Sequence, residues 1–198
     1  MTADSAHSDQ RILVKLQMQS LILFCLFFLV DGLVVILVSI NSEDSELWFG
    51  RVLVYNAAGV QLTNIKLPIS ITNPHSVVQT TNKTFIISHD DHMTELNRVC
   101  EVNNEGNIIA TFGGSRGSGI GQLATPLCIA LDSEGRVLVV DTDNRRVVLL
   151  NKQLNTQLRV LVSWNNNWYP HCILYDKDTG QLIVGFCQNG QVDIYSLL

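Results

Sequence analysis

FGGSRGSGIGQLATPLCIALDSEGRVLVVDTDNRRV, residues 112–147, carries the strongest structural signal in this chain. It opens with a glycine-rich segment, and the apolar runs that follow are only four or five residues long. Runs of this length are typical of strands rather than helices. Residues 132–135 (DSEG) and 141–144 (DTDN) supply turn chemistry between the runs. The pattern therefore predicts an antiparallel meander of short strands. The four predicted strands are 127–131, 137–140, 146–150 and 157–162.

Similar segments recur along the chain at a period in the forties. One marker is a proline that opens an apolar run, found at Pro74, Pro126 and Pro170, with spacings of 52 and 44 residues. A second marker is an Arg-Val pair, found at Arg51, Arg98 and Arg146, with spacings of 47 and 48 residues. Self-similarity at this period is typical of a repeat architecture, and of propeller blades in particular. The sequence therefore predicts an all-β fold.

The last repeat aligns with the third without a gap, residues 182–195 over residues 137–150. The apolar positions are kept, but Asp141 is replaced by Phe186 and Arg146 by Gln191. We infer that Asp141, Asn144 and Arg146 stabilise a turn and take no part in catalysis. Asp and Asn side chains can bond main-chain N–H groups of their own turn. An Arg at position 146 can bridge the turn to carbonyl groups or to Asp141.

The third repeat resembles the NHL repeat almost throughout. The resemblance rests on a Phe-Gly pair with a glycine-rich linker (112–121), Pro126, an Ile-Ala-x-Asp strand end (129–132) and an Asp-x-x-Asn-x-Arg turn (141–146). The neighbouring repeats match as apolar skeletons from about residue 33 to 198. Cys128 and Val140 depart from the family pattern. The resemblance implies a partial, open β-propeller of about three to four four-stranded NHL-type blades, where complete NHL propellers typically have six.

Three regions are expected along the chain. Residues 1–20 are a polar, disordered N-terminus, and residues 41–198 are the incomplete propeller. Between them, residues 21–40 are strongly apolar and long enough to span a bilayer as a single-pass transmembrane helix. The competing interpretation is that the turn signal at residues 31–32 separates a short leader from a first-blade strand. The first interpretation places the protein in a membrane, and the second places it in the cytoplasm.

A candidate binding face follows from the antiparallel geometry, because the loops after the second and fourth strands of a blade emerge on one side. The richest loop there is WNNNWYPH, residues 164–171, since rigid aromatic side chains with hydrogen-bonding capacity are enriched at binding hot spots. Packing of Trp164 or Trp168 between blades is the alternative. The candidate face residues are Trp164, Asn166, Trp168, Tyr169, His171, Arg116, Arg145, His89, Asp90 and His92.

Composition excludes several other classes. A net charge of -5 argues against non-specific nucleic-acid binding, which needs excess Lys and Arg. Five cysteines without CxxC spacing indicate neither a disulfide scaffold nor a zinc finger. Successive side chains at a strand end point in opposite directions, so at most two of residues 89–92 (HDDH) can face one ion. We therefore expect no metal site, and we expect no cofactor.

The NHL resemblance implies a protein-interaction module. Similar propellers are substrate-recognition ends of RING-type ubiquitin ligases of the tripartite-motif and malin-like groups. That implies a role in ubiquitin-dependent degradation, without a catalytic RING in these residues. Alternatives are an RNA-binding NHL propeller, and a membrane-anchored or secreted binding domain. His75 and His171 each follow the proline that opens their repeat, but the repeat between them has Leu127 at that position. The ring of histidines that a metal-dependent lyase of this fold would need is therefore incomplete. Open blade faces also predict self-association or a covering partner.

Overall fold

The computed structural model describes residues 25–30, 33–42, 45–165, 167–187 and 190–197. Within these ranges the chain forms β-strands, turns and connecting loops, with no helix. All pairings between the named strands are antiparallel. The strands form four sheets, and each sheet is a meander of strands that are consecutive in sequence. The all-β prediction is therefore confirmed.

The strands divide among the four sheets in chain order. The first sheet holds β1 (Cys25–Val30), β2 (Leu33–Ser42), β3 (Ser45–Tyr55) and β4 (Gln61–Lys66). The second sheet holds β5 (Pro74–Gln79), β6 (Phe85–Asp91), β7 (Leu96–Val102) and β8 (Ile108–Ser115). The third sheet holds β9 (Pro126–Leu131), β10 (Val137–Asp141), β11 (Arg146–Leu150) and β12 (Gln157–Ser163). The fourth sheet holds β13 (Pro170–Asp176), β14 (Gln181–Phe186) and β15 (Val192–Ser196).

Turns at one end of the sheets share a side-chain arrangement. Asn103 Oδ1 accepts hydrogen bonds from the main-chain N–H groups of Glu105 and Asn107, at 3.1 and 2.8 Å. Asn56 and Asp132 accept the same pair of bonds in their own turns. An Asn or Asp that binds the N–H two residues ahead stabilises a tight chain reversal. This explains why short polar segments suffice to connect the strands.

The core lies between the sheets, and the third sheet is buried on both faces. In β10, Val137 and Val139 belong to the apolar cluster shared with the second sheet. Leu138 and Val140 belong to the cluster shared with the fourth sheet. All four side chains are inaccessible to solvent. Burying each one stabilises the fold by about 1.5–3 kcal/mol. A third cluster joins the first and second sheets, so the sheets pack in chain order.

The first strands of the last three sheets lie against one another. β5 contacts β9, and β9 contacts β13. The first sheet approaches this row through β2, which contacts β5. Successive sheets therefore converge along their first strands.

The apolar segment 21–40 differs from the predicted transmembrane helix. Its described parts are strands β1 and β2, which pair with each other. Residues 34–38 are buried at 7% exposure or less, so the run is apolar because β2 lies inside the protein. The competing interpretation is right that residues 33–40 belong to a strand, but it is wrong about a leader, because residues 25–30 form β1 of the same sheet. No helix in the described part of the chain is long and apolar enough to cross a membrane. Residues 1–20 lie outside the described residues.

Candidate binding face

The loops that follow the second and fourth strands of the middle sheets form one surface, which we call the loop face. Their described residues are 92–95, 116–125, 142–145, 164–165 and 167–169. Main-chain hydrogen bonds join neighbouring loops. The Arg116 N–H donates to the Glu95 carbonyl at 2.9 Å, and the Trp164 N–H donates to the Arg145 carbonyl at 2.9 Å. These bonds, made at the ends of different strands, hold the loops in fixed positions relative to each other.

A buried carboxylate anchors the centre of the loop face. Asp141 is fully buried, and its Oδ1 accepts a hydrogen bond from the Ala124 N–H at 2.6 Å. Its Oδ2 accepts bonds from Asn144 Nδ2 at 2.8 Å and from Arg146 Nε at 2.6 Å. Asn144 and Arg146 thus both bind Asp141 across the turn 142–145. However, Asp141 binds the N–H of the preceding linker, not one in its own turn.

The same turn also holds the glycine-rich linker. Arg146 donates from Nη1 to the Ser118 carbonyl at 2.8 Å and from Nη2 to the Gln122 carbonyl at 3.0 Å. Asn144 Nδ2 donates to the Gly117 carbonyl at 2.8 Å. Side chains of the third sheet therefore donate hydrogen bonds to these linker carbonyl groups, which are not paired within a strand. The shape of the loop face depends on these bonds.

His89 and His92 point to different places. His89 is fully buried, with its Nε2 at 3.3 Å from Cys100 Sγ. Burial, assisted by the nearby Arg98 charge, lowers the pKa of His89 from 6.5 to about 4, so the ring is neutral at neutral pH. The His92 side chain is 71% exposed. Only His92 is therefore available on the loop face.

Asp90 is buried between polar neighbours from the loop before β5, from β5 itself and from the loop after β6. Its Oδ1 accepts a hydrogen bond from Asn73 Nδ2 at 2.6 Å, and its Oδ2 lies 3.1 Å from His75 Nε2. His92 Nε2 is 3.7 Å from Oδ1. Burial acts to raise the pKa of Asp90, but the His75 and Asn73 hydrogen bonds and the His charges hold it below its ordinary value. In the described ranges, no group of three or more His, Cys, Asp and Glu residues is placed to hold a metal ion.

Both tryptophans of the 164–171 segment pack into the core. The Trp164 ring meets the Phe186 ring edge-on at a centroid distance of 5.1 Å, and Trp168 does so at 5.8 Å. Trp164 Nε1 donates to Asp193 Oδ2 at 3.3 Å. Both side chains are half-buried in the cluster between the third and fourth sheets. Their contacts are those of packing residues, which is the alternative that the sequence left open.

The remaining candidates differ in what their side chains contact. Arg145 donates from Nη2 to the Tyr169 hydroxyl at 3.0 Å, with its guanidinium 4.9 Å from the ring centroid. Arg116 pairs with Asp143 at the surface. His171 is exposed at the start of β13. Asn166 lies outside the described residues.

Two exposed apolar side chains on the loop face were not identified from sequence. Met93, in the loop after β6, is 93% exposed, and Ile120, in the glycine-rich linker, is 94% exposed. Their loops are adjacent because Arg116 is bonded to Glu95. A large apolar residue flanked by glycines in a polar linker, as in SGIGQ, is a signal that could have identified Ile120.

The chain was compared with protein-family models, curated proteins and solved structures. No family model matches the chain, and no curated protein matches it. Among solved structures, the chain is similar to the crystal structure of a protein of unknown function from Bacteroides caccae, with 13% identity and a TM-score of 0.43. The match covers 82% of this chain and 57% of the other chain. At that TM-score the similarity carries no argument about fold or function.

Proposed function

We propose that the four sheets are consecutive blades of an incomplete β-propeller of the NHL-repeat type. The convergence of β5, β9 and β13 supports this, since first strands line the axis of a propeller. The sandwiching of the third sheet between its neighbours supports it as well. The motif in residues 112–147 adds the resemblance to NHL repeats.

The function that fits this geometry best is protein binding through the loop face. The observation that carries it is the near-complete exposure of Met93 and Ile120 on adjacent loops. Exposed apolar side chains on loops that also carry charged residues, here Arg116 and Asp143, are typical of protein-interaction sites. The loops are held by the bonds of Asp141 and Arg146, so the surface is organised before a partner arrives.

The NHL resemblance extends this proposal to substrate recognition for ubiquitination. In this view the loop face holds a target protein, and a RING outside these 198 residues supplies ubiquitin transfer. The chain contains no Cys/His zinc framework of its own. Its contribution is selection of the target.

Site-specific photo-crosslinking tests the loop face directly. A photoreactive phenylalanine analogue is placed at Met93 and, separately, at Ile120 in the full chain expressed in cells. The control positions are Val60, 56% exposed in the turn between β3 and β4, and Ile109, 53% exposed in β8, both away from the loop face. We expect one protein to be captured from both loop-face positions and from neither control. Its ubiquitination should fall when Ile120→Asp removes the contact.

Three outcomes would contradict the proposal. Equal capture from all four positions would indicate non-specific association. Capture of RNA in place of protein would favour the RNA-binding alternative, and a steep loss of binding with salt would accompany it. Capture of a partner whose ubiquitination is unchanged by Ile120→Asp would remove the ubiquitin role but keep protein binding.

A second surface supports self-association. One face of the fourth sheet packs on the third sheet, and the opposite face exposes Leu174, Val192 and Ile194 at 61%, 57% and 60%. Ile183 pairs with both Leu174 and Ile194 across the strands, so these side chains form continuous apolar rows. We propose that a second copy of the chain covers this face, since both copies would present the same flat apolar surface.

A further inference from the structure

A polar groove lies on the side of the molecule opposite the loop face. It runs between the second and third sheets, where the turns 80–84 and 132–136 meet, and it extends to the turn at Lys177 in the fourth sheet. Its volume is about 610 Å³. Nothing in the proposed role of the loop face uses this groove.

Three lysines from three different sheets line the groove. Lys83 follows β5, Lys152 follows β11 and Lys177 follows β13. All three side chains are exposed, and none of them forms an ion pair with any described residue. The Lys152 side chain lies over Gly135, which has no side chain to displace it. Three ammonium groups that form no direct ion pair within the described residues therefore line one groove.

The acidic residues of the groove are already engaged. Asp132 Oδ2 accepts a hydrogen bond from Arg136 Nε at 2.6 Å, and Glu134 Oε2 lies 3.3 Å from Arg136 Nη1. Glu101 accepts a hydrogen bond from the Thr84 hydroxyl. Arg136 offsets part of the charge of Asp132 and Glu134, and the Thr84 hydroxyl bonds Glu101 without neutralising it. With Arg136 included, the cations of this region outnumber its carboxylates, so the groove favours an anionic group whose charges are spaced apart.

Neutral polar side chains complete the lining. They are Thr81, Asn82, Ser133 and Gln153. Across the described part of the chain, none of these four side chains has a hydrogen-bond partner. Their hydroxyl and amide groups are free to bond a ligand that carries its own donors and acceptors. A polypeptide backbone meets that requirement.

We propose that this groove, which we call the lysine groove, binds an extended acidic segment of a partner polypeptide. Packed sheets lie about 10 Å apart, so Lys83 and Lys177 in the second and fourth sheets are separated by roughly 20 Å. An extended chain covers that span in about six residues. Asp132 and Glu134 beside the lysines oppose the closely spaced phosphates of a nucleic acid, whereas a peptide can place its carboxylates at intervals.

Fluorescence anisotropy of the full chain with a fluorescein-labelled peptide of three alternating Glu-Ser pairs, which spaces its carboxylates, tests this assignment. We expect binding that weakens as salt is raised, because the lysines are exposed. Lys152→Glu should weaken binding by about tenfold, and Lys152→Gln, which keeps most of the stem, by less. Arg159→Glu makes the same charge change on β12 outside the groove and should leave the affinity unchanged.

Several results would overturn the proposal. One is no binding of the Glu-Ser peptide to the wild-type chain. Another is an equal loss in the Arg159→Glu variant, which would mean that overall charge alone drives binding. A third is preferential binding of an oligouridine strand or of phosphatidylserine vesicles, because either would assign the lysines to phosphate. Circular dichroism of each variant confirms that the sheets are intact.

Discussion

Asp141 and Arg146 face each other across β10 and β11, and Arg146 Nε donates to Asp141 Oδ2 at 2.6 Å. At the equivalent position of the fourth sheet, Phe186 and Gln191 replace the pair. There the Phe186 ring packs against Trp164 and Trp168. A buried ion pair thus stabilises this strand end in the third sheet, and an aromatic cluster stabilises the equivalent strand end in the fourth sheet. The repeats keep the fold while changing the interaction that stabilises it.

Removal of the Asp141 charge should destabilise the protein strongly. Asp141→Asn leaves the Arg146 guanidinium, which is 11% exposed, without its anionic partner. We expect the free energy of unfolding to fall by about 3–5 kcal/mol, measured by urea denaturation. The matched control is Asp143→Asn, which breaks the exposed pair with Arg116 and should cost about 1 kcal/mol or less. Equal losses in both variants would show that burial of the pair is not what matters.

Gly113 is required by its backbone, whereas its neighbour Gly114 is not. Gly113 has a φ of 96°, and an added Cβ would lie 2.3 Å from the Asn97 carbonyl oxygen. Gly113→Ala should lower the free energy of unfolding by about 1–3 kcal/mol, since an L-residue is strained at that φ. Gly114→Ala meets no atom within 4 Å and should be close to neutral. Thermal denaturation of the two variants tests this difference in stability. Similar melting temperatures would contradict the prediction.

His89 should make folding stability depend on pH. Its pKa falls from 6.5 to about 4 in the folded state, so the unfolded chain binds a proton there first. Stability is therefore fully present above pH 6.5 and is lost as the pH falls towards about 4. The loss is on the order of 3 kcal/mol. Chemical denaturation of the wild type across this range measures it.

His89→Gln should remove that dependence, since the variant has no ionisable ring at this position. His92→Gln, at the exposed neighbour, should keep it. The lowered pKa of Asp90 acts at a different pH, because its contribution is lost only below the ordinary value of 3.8. A pH slope that survives in His89→Gln would assign the effect to another group.

The exposed face of the fourth sheet should mediate self-association. In sedimentation velocity under reducing conditions, which keep the exposed Cys172 from forming disulfides, we expect the wild-type chain to form dimers. Leu174→Glu combined with Ile194→Glu should raise the dimer dissociation constant at least about tenfold, because each charge would be buried against an apolar face. Ile109→Glu, at an exposed position of β8, is the control. A wild-type chain that stays monomeric at about 100 μM would refute the interface.

Much of the architecture was predictable because its determinants are local. The four strands of the third sheet begin and end within one residue of the prediction from apolar runs and turn residues. The contacts of Asp141 with Asn144 and Arg146 are local too, because these residues lie within six positions of one another, whereas their bonds to the glycine-rich linker are not. The N-terminal strands were harder, since a long apolar run has the same composition in a buried strand and in a membrane helix.

The amino-acid sequence alone determined the repeat period, the short strands and the turns, because alternation and turn propensity act between near neighbours. Only the tertiary structure decided which side chains face solvent. Trp164 and Trp168 pack against Phe186, which lies about twenty residues further along the chain, whereas Met93 and Ile120 are exposed. Likewise, three lysines far apart in sequence surround one groove. Burial and convergence of this kind depend on contacts between sheets, and these do not exist until the chain has folded.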